Sequence, residues 1–90
     1  MKLTYLDHEI FQTEYLVSLQ DANELKRACL SAVEQGRDLE QLIQIHAEIV
    51  LLTIRLREVR IDPCIYSFMP MLLGDLRLKI EAEKLNCSAQ

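Results

Sequence analysis

One stretch, Asp38 to Arg60, constrains this chain more than any other. Leu39, Leu42, Ile43, Ile45, Ile49, Val50, Leu52, Ile54, Leu56 and Val59 recur there at helical spacing. At 100° per residue they sweep an arc of roughly 220°, whereas an ordinary surface helix needs a stripe little wider than about 100°. Such a helix is expected to be covered from more than one side. Within the arc, Leu42, Ile45, Ile49, Leu52, Leu56 and Val59 keep strict 3-4 alternation, a seam suited to a partner helix. The remaining wedge holds Glu40, Gln41, Gln44, Glu48, Arg55 and Glu58. Arg55, Arg57 and Arg60, with Glu48 and Glu58 among them, read as a solvated helix end. At 1.5 Å per residue the helix is about 35 Å long.

The flanking segments also read as helices. A first helix is expected from Thr4, with Asp7 three residues on as an approximate capping box and Leu6, Ile10, Thr13 and Val17 on one face. A second opens at Asp21, with Glu24 completing a box, and carries Leu25, Ala28, Cys29, Ala32 and Val33 as a single stripe. Gly36 supplies a residue tolerant of positive φ past its end. The break at Gly36-Arg37 is short enough to make the second and third helices an antiparallel hairpin. Asp62-Pro63 closes the long helix, since the residue before proline is pushed out of helical geometry, and can cap the next one. Pro70 then either kinks a continuous helix or restarts one; the preferred reading is a short piece, Pro63 to Met69, followed by a helix from Pro70 to about Leu85.

That last segment is ambiguous by period alone. Leu76-Arg77-Leu78-Lys79-Ile80-Glu81-Ala82-Glu83 alternates as a strand would. Its residue types are helix formers, and no second strand is visible to pair with it. Read as a helix it has two apolar strips, Leu72, Leu73, Leu76, Ile80 and Met71, Leu78, Ala82, Leu85. The fold class is therefore all-α: a small antiparallel bundle of three main helices plus a short proline-flanked helix. Residues 1–90 read as one domain with a frayed tail at about 86–90.

Composition narrows the role. Apolar residues are 50% of the chain, and a domain of this size buries only about 60–65% of its unfolded surface. Part of the apolar content is thus expected to meet a second chain, in a homodimer or heteromer. The net charge of −4 and pI near 5.1 oppose nucleic-acid binding, which leaves a basic footprint. The most apolar run, Ile49 to Ile54, falls far short of the ~20 residues of a membrane span. Three widely spaced cysteines without CxxC or Cys/His spacing, and no signal-peptide pattern after Met1, suggest a reducing, cytoplasmic setting.

No catalytic, metal or cofactor site is expected. His46 lies within the apolar arc, but Ile49 and Val50 occupy the i+3 and i+4 positions a metal site would need, so a structural role fits best. Asp7-His8-Glu9 cannot converge on one ion, because consecutive helical residues point about 100° apart. Cys64 has Asp62 beside it, which opposes thiolate activation, and Gly36 and Gly74 are too isolated for a phosphate loop. Tyr66, Phe68, Met69 and Met71 form a soft aromatic and methionine cluster beside the prolines, able to repack against varied partners.

Short length, acidic charge, helical hairpin layout and apolar excess give a profile that resembles the small cytosolic chaperones of type III and flagellar export. No diagnostic motif accompanies it, so no functional residues are carried over. Gln44 to Val59 also resembles the C-terminal segment of a flagellar regulator, over under a fifth of the chain. The expected function is a non-enzymatic protein-interaction module, an adaptor or export-type chaperone binding a helical partner. The expected partner residues are Leu42, Ile45, Ile49, Leu52, Leu56, Val59, Tyr66, Phe68, Met69 and Met71. The alternatives are a small regulator that masks a protein surface (an anti-activator or phage-type inhibitor) and a dimeric DNA-binding regulator.

Overall fold

The computed structural model describes residues 3–88. The described residues are all-helical, with no strand. A 3₁₀ turn (His8–Phe11) precedes α1 (Thr13–Val17), α2 (Ala22–Glu34) and α3 (Leu39–Glu58). A second 3₁₀ turn (Pro63–Tyr66) then leads to α4 (Met69–Ser88). The molecule is elongated, 47 × 24 × 19 Å. α4 lies chiefly along α3, while α2 packs on α3 and on the Pro63–Tyr66 turn. One apolar core runs through all of these elements.

Local chemistry sets most boundaries. The Asp21 carboxylate accepts from Asn23 N–H at 2.8 Å, and Asp38 accepts from Gln41 N–H at 2.9 Å. Gln41 Oε1 in turn accepts from Arg37 N–H at 2.7 Å, so the two side chains serve the free amides at the start of α3 reciprocally. Asp62 accepts from Cys64 N–H, with Pro63 opening the short turn as expected. Pro70 sits in the first turn of α4, where a missing N–H has no intrahelical acceptor to lose. The stretch Leu76 to Glu83 is helical. Its alternation arises because Leu76 and Ile80 face the core while Leu78 and Ala82 face outwards. The fraying expected from residue 86 falls on the last turn of α4 and on 89 and 90, which lie outside the described residues.

Two expectations are corrected. Gly36 does not adopt positive φ. Its smallness matters instead, because an added Cβ would lie 2.7 Å from Leu42 Cδ2 and 3.0 Å from Ile45 Cδ1. The positive φ belongs to Arg60, at 61°. There Arg60 N–H donates to Arg57 C=O and Ile61 N–H to Leu56 C=O, each at 3.1 Å, the paired bonds of a left-handed helix terminus.

The second correction is the N-terminal segment. No helix begins at Thr4; residues 3–7 are irregular and the first α-helical turn starts at Thr13. The segment is held instead by Glu48, on the polar wedge of α3 and fully buried. Its Oε1 accepts from Tyr5 and Leu6 N–H, both at 2.9 Å. Its Oε2 accepts from Thr4 N–H at 3.1 Å and Gln44 Nε2 at 2.9 Å. A buried carboxylate must be matched by donors, and charge-assisted bonds are about twice as strong as neutral ones. A short local helix is marginal by comparison. Arg55 adds a second hold, Nε donating to Phe11 C=O at 3.0 Å and Nη2 to Thr13 Oγ1 at 2.7 Å. Leu6 and Ile10 are thereby seated in the core, while Thr13 and Val17 stay exposed. Of the residues read as a solvated helix end, Arg57, Glu58 and Arg60 are exposed, whereas Glu48 and Arg55 clamp the N-terminal segment.

Glu48→Gln is expected to destabilise the protein by roughly 3 kcal/mol, since an amide group turns a donor toward backbone N–H groups that need an acceptor. Urea unfolding measures this, and the amide resonances of residues 4–6 report the local loss. Arg60→Gly is expected to stabilise by about 1 kcal/mol through relief of the left-handed backbone, read as a higher denaturation midpoint at unchanged slope.

Candidate functional site

The residues expected to meet a partner separate sharply in the structure. Leu42, Ile45, Ile49, Leu52 and Leu56 are buried, and Val59 is packed against them. α4 and the neighbouring elements fill the α3 seam from within the same chain, so it offers no free surface to a second one. Met69 is 1% exposed, and Tyr66 and Phe68 are half-buried against the core. Met71 alone of the ten is open, at 76%.

Met71 marks a surface that the α3 seam did not indicate. With Leu78 (70%) and Leu85 (71%) it forms the outer strip of α4. The three are seven residues apart, and seven steps of 100° return to within about 20° of the start. Met69, Leu72, Leu76 and Ile80 occupy the opposite, buried side. α4 is apolar on two faces, one used and one open. The expectation of two strips had already placed Leu78 and Leu85 together.

A groove flanks this strip. α2 and α4 make few direct contacts, and two connected depressions separate them. One of about 130 Å³ is lined by Lys26, Leu30, Phe68, Met71, Leu72 and Asp75. The next, about 320 Å³, adds Val33, Leu76 and Lys79. On the other side of α4 an apolar cavity of about 430 Å³ lies among Thr53, Arg57, Pro63, Tyr66, Met69, Pro70 and Leu73. α3 keeps a weaker open strip at Ile43 and Ile54, each 46% exposed.

The chemical candidates do not assemble. His46 is half-buried on α3, and its pKa is lowered by burial and then by the positive charge of Arg77. Cys64 is exposed beyond the far end of α3, with roughly 18 Å of helix between His46 and Glu58 alone. Cys29 is buried, which pushes its thiol up to about 12 and keeps it protonated and unreactive. Among the described residues no three His, Cys, Asp or Glu side chains come together to hold a metal ion. No helix of the described residues is long and apolar enough to cross a membrane.

The His46 environment has a pH consequence. A folded-state pKa below the unfolded value of about 6.5 leaves stability intact above that pH and lost as pH falls through it. The His46 imidazole proton resonances are expected to titrate below 6.5, moving back toward it in Arg77→Gln, and His46→Gln should flatten the stability profile between pH 7.5 and about 5.5. A midpoint at or above 6.5 would contradict the burial and charge account.

No known protein family matches the chain, and neither does any curated protein or solved structure.

Proposed function

We propose that this chain is a non-enzymatic protein-interaction module whose binding face is the outer strip of α4. One observation carries the reading: Met71, Leu78 and Leu85 stand 70–76% exposed at heptad spacing on a helix whose other side is already buried. Heptad spacing of apolar residues matches a helix as partner. Isolated exposed leucines are ordinary, but an aligned row on one helix is the pattern of an interface. An adaptor or export-type chaperone is the favoured form, because the α2–α4 groove lies alongside the strip and widens it with Leu30. The net charge of −4 supports a protein partner over nucleic acid. The free thiols Cys29 and Cys64 suit a reducing, cytoplasmic compartment.

Leu78→Glu is expected to abolish retention of partner protein while shifting stability by no more than about 0.5 kcal/mol, the range for exposed sites. Ile49→Asp combined with Leu52→Asp should instead unfold the chain, since both positions are fully buried. Pull-down from host lysate beside thermal melts separates the two effects. Equal retention by wild type and Leu78→Glu would exclude this face as the one that holds the retained partner.

A further inference from the structure

Taking the outer strip of α4 as an interaction surface, we infer that the helix it fits is α4 of a second copy, laid antiparallel about a two-fold axis at Leu78. The order of residues around Leu78 carries this. Stepping away in both directions on the outward half of α4, the chain reads Arg77 and Lys79, Asp75 and Glu81, Gly74 and Ala82, and Met71 and Leu85. The unmatched pairs, Leu73 with Glu83 and Leu72 with Lys84, lie about 120–140° round the helix from Leu78, turned away from the strip. On that outward half, basic, acidic, small and apolar residues recur at matched distances. A two-fold contact requires one patch to complement itself, and an unrelated partner gives no reason for this symmetry.

The helical wheel shows why the match works in space. Asp75 and Glu81 lie on opposite rims of the strip, each about 60° from Leu78, with Lys79 and Arg77 about 40° further round on the same rims. Turning the second copy end for end keeps each rim facing its own kind. Lys79 of the second copy then stands within about 3 Å of axial rise of Asp75, and Arg77 of the second copy equally near Glu81. Met71 meets Leu85 of the second copy, and Leu78 meets itself. The four rim charges sum to zero, so the net charge of −4 per chain is not concentrated at the contact. All four are exposed in the single chain, and Glu81 makes a surface pair with Lys84 at 3.6 Å. A Cβ at Gly74 would touch nothing within 4 Å, which leaves room for close approach beside Ala82 of the second copy.

Light scattering of the full chain should give twice the monomer mass of 10.5 kDa. Leu78→Asp, which sets two carboxylates at the axis, should give the single mass with an unchanged circular dichroism spectrum. Asp75→Lys should weaken the dimer about tenfold or more, equivalent to 1.4 kcal/mol, and adding Lys79→Asp should restore it to within about threefold. With Cys64→Ser and Cys87→Ser in place, a mixture of Met71→Cys and Leu85→Cys chains should form a disulfide dimer on oxidation, and Met71→Cys alone should not. A wild type of single mass, a dimer indifferent to Leu78→Asp, or cross-linking by Met71→Cys alone would each overturn the inference. If the wild type is monomeric but Leu78→Glu still abolishes partner retention, self-pairing falls and the interaction face stands. If neither effect appears, both fall.

Discussion

The carboxylate of Glu48 is the constraint around which the rest of the structure is arranged. A charge in an apolar interior persists only where donors surround it. Here three consecutive backbone amides and the Gln44 side chain meet that need. Residues 3–7, which carry those amides, run as an irregular segment across α3. Its course in turn delivers Leu6 and Ile10 to the core. Arg55, seven residues beyond Glu48 on the same wedge, fixes the segment again at Phe11 and Thr13. With its polar side covered by the N-terminal segment, α3 has α2 and α4 against its apolar side.

Features with local causes were legible in the sequence. The stripe Leu25, Cys29, Ala32 and Val33, the capping aspartates at 21, 38 and 62, and the two faces of α4 follow from spacing and from side chains acting within a few residues. Glu48 was not legible, because its backbone partners lie 42 to 44 residues away. A helical wheel reports polarity and says nothing of what the polarity meets. The α3 seam shows the same limit from the apolar side. Periodicity marked Leu42 to Leu56 as covered, yet could not say that the chain's own α4 does the covering. Arg60 escaped for a different reason: arginine carries no preference for the left-handed region that the terminus of α3 imposes on it.

Covering α3 internally moves the apolar excess elsewhere. Half of the residues are apolar, and once the core is filled the surplus emerges on α4, with smaller shares at Ile43, Ile54 and Leu30. α4 has apolar residues on opposite sides, so it forms a wall of the chain's own core while presenting an outward row. Few contacts bind it to α2, which leaves that edge of the row open as a groove. The candidate interaction surface is thus a consequence of how the long helix was satisfied, and no separate element was added for it.

The Glu48 clamp recognises main chain and ignores side chains. At Thr4, which is exposed, and at Tyr5, which is half-buried, the clamp sets no requirement on residue type beyond the presence of an N–H. Substitution there is therefore free over nearly the whole amino-acid alphabet as far as this contact goes. Proline is the exception, because it would arrive at the carboxylate with no hydrogen to give.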